Sequence, residues 1–437
     1  MKYNKQEKSW ILYDVANSAF VLILTASIPV FFRALVDNAG IESVSQSFIV
    51  KLLFSNLANN ALNGNAQAYE ALKTSLFGLS TTISVLLVAF MSPIFGALAD
   101  YKGMKKKIFS IFLIVGVFCC ILLGVTSNWL SYLALIIVAR IGYANCNIFY
   151  DSMLVDVTTD ERMDSVSSMG YAFGYIGSCI PFVIGIYLIL ATPFGLTKTF
   201  ATQLSFIIVA VWWLLFSIPL LKNVKQTHYL EHNEVNVIKI LKRLKDTLKK
   251  IRKNPRMLYF ILAYFCYIDG VYTIISMATT YGAEVGIDTN SMIVALLVTQ
   301  VVAFPFAIIT AHLVSRFKTI SLLKLFVLAY AAICIYAYQM DQAYEFWILC
   351  IAVAMFMGGI QSLSRAYFGK LVPKQSSNEY FGFFDIFGKF ADFFGPLIIT
   401  IAATIFGQSK IGILGLILLF GIGYLLLRKV AKLEELL

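Results

Sequence analysis

Apolar runs of about 20 residues recur from one end of this chain to the other, and they limit what it can fold into. As a helix, a run of that length spans the ~30 Å hydrocarbon core of a bilayer. No water is available there, so backbone N–H and C=O groups must pair within a helix or around a closed barrel. The runs are continuous rather than alternating, which excludes an outer-membrane barrel. The 437 residues are 59% hydrophobic and 14% charged, whereas a soluble globular chain is about half apolar and a quarter charged. The fold class is therefore an all-α polytopic membrane protein. No soluble domain remains once the runs are removed.

Twelve spans are expected, near 10–34, 74–99, 107–126, 130–154, 166–190, 200–221, 257–283, 290–312, 320–338, 345–368, 378–405 and 409–428. They form an N-terminal six-helix half, 1–221, and a C-terminal six-helix half, 257–437, joined by a linker, 222–256. The first run is too long for a signal-peptide core and holds Asp14 and Asn17, so it is read as a retained span. Lys and Arg set the orientation. The Lys2–Lys8 and Lys102–Lys107 stretches, Arg162, the linker and the C-terminal Arg428 to Lys432 share one side. Arg316, Lys318 and Lys324 join them, and Arg365, Lys370 and Lys374 are assigned to a helix end there. Only Arg33, Lys51, Lys73, Lys198 and Lys410 fall opposite. Both termini are expected in the cytosol. Compact length and sparse loops point to a bacterial inner membrane.

The linker explains the net charge of +11: eleven basic residues between Lys222 and Arg256 face only Glu231, Glu234 and Asp246. Val237, Ile238, Leu241, Leu244, Leu248 and Ile251 repeat at helical spacing, with lysines over much of the remainder. This helix is expected to lie along an anionic cytosolic leaflet. A nucleic-acid partner is not expected in this membrane setting. His228 and His232 have i, i+4 metal-ligand spacing, but no further ligand cluster stands near them, so no metal is expected. The seven cysteines lie in apolar runs without a CxxC and read as buried small residues. The polar 35–72 segment is placed outside, with Phe48, Leu52, Leu53 and Leu57 in a short amphipathic piece at the outer interface.

One run is charged within its apolar length. Phe381 to Pro396 reads FGFFDIFGKFADFFGP. At ~100° per residue, Asp385, Lys389 and Asp392 fall within about 60° of arc, opposite Phe383, Phe387, Phe390 and Phe394. A charge at bilayer depth costs about 2.5–3.5 kcal/mol and usually faces a bundle interior. The aromatic face is expected to suit lipid and the charged face a polar interior. Lys389 either works on substrate or clamps its neighbours at i−4 and i+3. Gly382, Gly388 and Gly395 favour close helix approach.

Between spans two and three the chain reads GALADYKGMKKK, Gly96 to Lys107. Gly96, Asp100, Gly103, Lys105 and Lys106 match the loop signature of the major facilitator superfamily, with Tyr101 in a usually basic place and Lys102 beside it. The chain resembles that superfamily, where the loop helps hold the outward-facing state through a charge relay. Asp100 at a helix end can meet cations or a neighbouring helix N-terminus. Three stretches resemble the vacuole-effluxer-like branch, whose fungal members export amino acids from vacuoles. They are Trp10 to Phe20, Val166 to Gly177, and Gly358 to Arg365. Arg140 and Asp151 in span four depart from what the branch leads one to expect.

Counting 1.5 Å per residue from each span's entry puts Asp269, Lys389 and Arg140 near the midplane. The superfamily resemblance implies that spans one, four, seven and ten face a central cavity, which adds Asp14, Asn17, Asn145, Tyr272 and Gln361. A zwitterion would offer a carboxylate to Arg140 or Lys389 and an ammonium to Asp269 or Asp14. Asp269, or else Asp385, could carry a coupling proton; alternatively, Asp269 is a static partner of Arg140 or Lys389. Asp14 is shallower and suits a gate. The expected function is proton-coupled secondary transport of amino acids or similar small zwitterions by a monomer, with protons and a small-molecule substrate as partners. The same fold could instead move amphipathic cations or lysolipid-like molecules, or serve as a non-transporting receptor. No nucleophile–base pair, HExxH or ATP-binding loop appears, so neither an enzyme nor an ATP-driven pump is expected, and no cofactor.

Overall fold

The computed structural model describes residues 2–231, 237–284, 288–340, 342–406 and 409–436. Their side chains are described except those of 237–238, 277–284, 289–290, 343, 390–393, 400, 403–406 and 409–410. The long helices are α1 (Lys5–Ala26), α2 (Ala66–Ala99), α3 (Met104–Leu123), α4 (Trp129–Ser152), α5 (Asp160–Ala191) and α6 (Lys198–Asn223). They continue as α7 (Pro255–Glu284), α8 (Thr289–Leu313), α9 (Thr319–Gln339), α10 (Ala343–Leu371), α11 (Ser377–Phe406) and α12 (Ser409–Glu435). Among the described residues, eleven helices are long and apolar enough to cross a membrane. The other, α11, is 30 residues long and carries the charged stretch.

The first expected span is shorter than its apolar run. α1 ends at Ala26, and a separate helix, Ile28–Ala39, starts with Pro29 in its first turn. Proline lacks the N–H that an unbroken helix would use there. Short helices Ile41–Gln46, Phe48–Leu53 and Ser55–Leu62 fill the 35–72 segment. Val44, Val50 and Ala58 are buried there, while Phe48, Leu52 and Leu53 are exposed.

The first six helices pack on one another through α1/α5, α3/α4 and α1/α6, the last six through α7/α12, α9/α12 and α8/α10. The two sets meet along α2/α11 and α5/α8, with α5/α10 and α4/α11 between them. The aromatic face of α11 packs in part on protein, as does Phe384 beside it. Phe384 stacks on Tyr264 with centroids 4.0 Å apart and on Phe368 at 4.2 Å, and Phe383 is buried too. Phe387 and Phe394 meet Phe265 of α7, and only Phe394 is exposed. Among the described side chains of that face, Phe383 and Phe387 thus pack on protein, while Phe394 keeps the exposure expected for lipid.

Both termini and the linker lie at one end of the bundle, the basic end. Arg162 of α5 pairs with Glu7 near the N-terminus, and Arg256 with Glu434 near the C-terminus. The linker forms the helix Val237–Lys253, but its inward face is rotated from the expected stripe. Ile240, Thr247 and Ile251 are buried against the bundle, whereas Leu241 and Leu248 are exposed. The cause is Arg243, which turns inward to two carboxylates and fixes the helix's rotation. The preceding stretch is bolted down too. The backbone N–H groups of Thr227 and His228 donate to Asp156 at 3.0 and 2.9 Å.

Close approach of α2 and α11 depends on glycine. A Cβ on Gly382 would stand 2.7 Å from the Ser92 carbonyl oxygen. Gly382→Leu should cost about 1–3 kcal/mol by overpacking and lower the Tm of the purified protein. Gly421→Ala, where a Cβ meets open space, should leave Tm unchanged or raise it. Equal losses in both variants would contradict this packing.

Candidate functional site

Arg365 of α10 is a buried charge with partners on three other helices. Its Nη1 is 2.9 Å from Asp151 of α4, and its Nη2 is 3.2 Å from Asp14 of α1. Nε donates to Ser167 Oγ at 2.9 Å and Nη2 to the Ser167 carbonyl at 3.0 Å, both on α5. The guanidinium also lies 4.6 Å from the Trp10 ring centroid and 4.5 Å from that of Tyr171, a cation–π arrangement. Asp14 accepts from Tyr150 Oη at 2.7 Å. Every partner comes from the first six helices and Arg365 from the last six. This corrects the reading of Arg365 as a helix-end anchor at the basic surface: it is 4% exposed.

Neighbouring contacts continue the closure. Ser167 Oγ donates to the Ser362 carbonyl at 2.7 Å. Asp164 takes Lys370 and Thr319, and Asp160 pairs with Lys374 at 2.8 Å.

The loop signature closes the α2/α11 side. Asp100 is fully buried and accepts from the backbone N–H of Asn378 and from its Nδ2, each at 2.9 Å. These groups open α11, so the carboxylate sits at a helix N-terminus, where the dipole favours it. Gly96 lets α2 come this near, since a Cβ there would stand 2.6 Å from the Asn378 oxygen. Arg243 of the linker reaches Asp100 at 2.5 Å and Glu379 at 2.7 Å. Burial alone would lower the pKa of Arg243, but the two carboxylates hold it above the usual value. Lys105 is buried on Asp156 at 2.6 Å and reaches Ser377 of α11 at 3.3 Å. Gly103, Lys102 and Lys106 anchor the linker: Gly103 N–H donates to Gln226, Lys102 lies 3.6 Å from Glu231, and Lys106 donates to the Val224 carbonyl.

Deeper in the bundle, Lys389 and Asp385 lie 3.5 Å apart on α11, their side chains 28% and 20% exposed. Asp151, at 31%, is more exposed than Asp14. Asn17 donates to Asn147 at 3.0 Å. Tyr143 lies within electrostatic reach of Asp14, Asp151 and Asp385, as does Tyr171 of Tyr272 and Asp151. Gln361 stands one turn before Arg365, partly buried.

Other expected members lie elsewhere. Arg140 donates to Thr81 of α2 at 2.6 Å. Asp269 accepts from the backbone N–H of Gly395 at 2.9 Å, beside the helix-interior Pro396, and so ties α7 to α11. Asn145 is fully buried and turns back to the Ile141 carbonyl of its own helix. At ~100° per residue it points about 160° away from Asn147, off the face shared by Arg140, Asn147 and Asp151. The Asp392 side chain lies outside the described residues, as does His232.

A profile of the family described as "Vacuole effluxer Atg22 like" matches residues 3–433. The chain belongs to that family. An uncharacterized MFS-type transporter of Bacillus subtilis, YxiO, is 43% identical over 98% of this chain and 95% of its own length. Autophagy-related protein 22 of Kluyveromyces lactis is 24% identical over 74% and 72%. Among solved structures, the transporter FucP in its outward conformation has a TM-score of 0.69 at 15% identity, covering 98% of this chain and 97% of that one. The human organic anion transporter MFSD10 has a TM-score of 0.68 at 12% identity, covering 97% and 99%. The fold is that of the major facilitators. This Atg22-like chain is a multi-pass integral membrane protein of the transporter class.

Arg365 and Asn147 were missed as site residues, although the sequence carried a signal for each. Gly358, Gln361, Ser362 and Arg365 repeat at i, i+3, i+4 and i+7, a small and polar stripe that a lipid-facing helix would not carry. Arg140, Ala144, Asn147 and Asp151 repeat at i, i+4, i+7 and i+11. In this Atg22-like chain, Arg365→Gln should destabilise by about 3–5 kcal/mol, because two carboxylates lose their cation. Arg365→Lys should restore little of that, since an ammonium cannot span both acids as a fork does. Adding Asp14→Asn to Arg365→Gln should recover part of the loss in thermal unfolding. A double variant as unstable as the sum of the singles would show the pair to be uncoupled.

Proposed function

We propose that the chain is a proton-coupled secondary transporter that moves amino acids or similar small zwitterions by alternating access. The observation that carries this reading is a pair of accessible acids, Asp151 and Asp385, with Lys389 in the seam beyond the Arg365 closure. A substrate carboxylate competes with Asp385 for Lys389. The freed Asp385 then takes a proton, since an unpaired carboxylate in a low-dielectric site is costly, and the substrate ammonium meets Asp151. Asp385 therefore carries the coupling proton, and Asp269 serves as the joint between α7 and α11.

The Lys and Arg distribution supports a cytosolic basic end. The described arrangement is then closed inside, and opening requires Arg365 and Asp100 to part from their partners. A vacuole effluxer empties the lumen toward the cytosol, so the family description supports movement toward the compartment that the basic end faces, here across a bacterial inner membrane. Tyr143, Tyr171, Tyr264 and Tyr272 around the acids favour one rival, an amphipathic cation, whose charge would stack on them.

Counterflow in proteoliposomes separates these readings. A panel of amino acids, short peptides, hydrophobic cations and lysolipids is loaded inside and exchanged against labelled substrate. A subset of amino acids should exchange, with a pH dependence that Asp385→Asn abolishes and a rate that Lys389→Met lowers at least about tenfold, the loss of one charge-assisted contact. Exchange of hydrophobic cations alone would replace the cargo. Normal amino-acid transport by both variants across the pH range would overturn the mechanism, and no exchange of any solute would favour a receptor.

A further inference from the structure

A cavity of about 320 Å³ lies between the linker helix and the corner where α10 passes into α11. The linker wall carries Lys239, Lys242 and Lys250 with Asp246, and the corner wall carries Ser376 and Glu379. Positions 239, 242, 246 and 250 repeat at i, i+3, i+7 and i+11, a single helix face. The charges in this cavity do not cancel. Glu379 is taken by Arg243 at 2.7 Å, and Asp246 has Lys249 at 3.6 Å. The three lysines are exposed, and none has an ion-pair partner among the described residues. Three lysines on one wall of a concave site, with a serine hydroxyl in the lining of the other, have the chemistry that holds a multiply charged oxyanion. Lysine suits this role as a mobile point charge that needs no fixed fork geometry.

We propose that this cavity binds a phosphate-bearing anion, held between the linker lysines and the Ser376 corner. Such an anion spans two elements that otherwise meet there through Arg243, so it would fasten the linker helix to the start of α11. A phospholipid headgroup and a soluble phosphate share this chemistry, and the proposal does not depend on which substrate the bundle carries.

The test uses the full chain, in detergent with inorganic pyrophosphate and in nanodiscs of phosphatidylcholine with or without phosphatidylglycerol. Thermal unfolding and amide exchange are read in both. A saturable rise in Tm is expected, with slowed exchange in both 239–250 and 373–380. The variant Lys239→Gln/Lys242→Gln/Lys250→Gln should weaken the response about tenfold or more. Lys245→Gln/Arg252→Gln/Lys253→Gln removes equal charge from the same helix outside the cavity lining and should leave the response nearly intact. A response to phosphatidylglycerol alone supports the site with a lipid headgroup as its source, and one to pyrophosphate alone supports it with a soluble source. No saturable response to either, equal loss in both triple variants, or protection confined to the linker helix would overturn the proposal.

Discussion

Arg365 is a buried guanidinium supplied by one set of helices and neutralised by the other. An unpaired charge at that depth costs several kcal/mol even after relaxation. The basic end can therefore close only in the register that brings Asp14, Asp151 and Ser167 around it together. A buried ion pair of this kind is poor glue, since water would solvate all three charges nearly as well. Its value lies in selectivity: any other register leaves a charge without acceptors.

The opposite seam reaches the same end by different physics. At α2/α11 the carboxylate of Asp100 meets the backbone donors that open a helix, and those donors need a partner whenever the halves are together. Gly96 and Gly382 remove the side chains that would hold the helices apart. The linker adds the cation, through Arg243, so the chain between the two sets is part of the closure as well as a tether.

The sequence exposed whatever depends on length, periodicity or local motif. Helical spans follow from apolar runs, and the Gly96–Lys106 signature placed Asp100 where a helix N-terminus could reach it. Readings that depended on partners went astray. Arg365 looks like a cytosolic anchor when counted by distance from the helix end, because its acceptors lie on α1, α4 and α5, far away in sequence. Phe387 of α11 looks lipid-facing until Phe265 of α7 is seen against it, whereas Phe394 is exposed as expected. The linker stripe was chosen on hydrophobicity, yet the rotation is decided by one arginine and two buried carboxylates. In each case a tertiary contact outweighed a correct local pattern.

One helix links the charged seam to the closure. α11 presents its first N–H groups to Asp100 of α2, carries Asp385 and Lys389 further along, and is tied to α7 where Asp269 holds Gly395. The tie to α7 lies within the last six helices, so it resists sliding of α11 within its own set and leaves motion between the sets free. In the proposed cycle, a shift of the α11 N-terminus away from α2 would carry Lys389 away from α4, the helix of Asp151. A ligand changes such an equilibrium only by its differential affinity for the two arrangements. A molecule held by Lys389 alone moves with α11 and changes little. One that spans Lys389 and Asp151 touches both sets, and its binding energy depends on how far apart they stand. For a zwitterion as proposed, opposite charges at its two ends would connect occupancy of the seam to the contacts that close it.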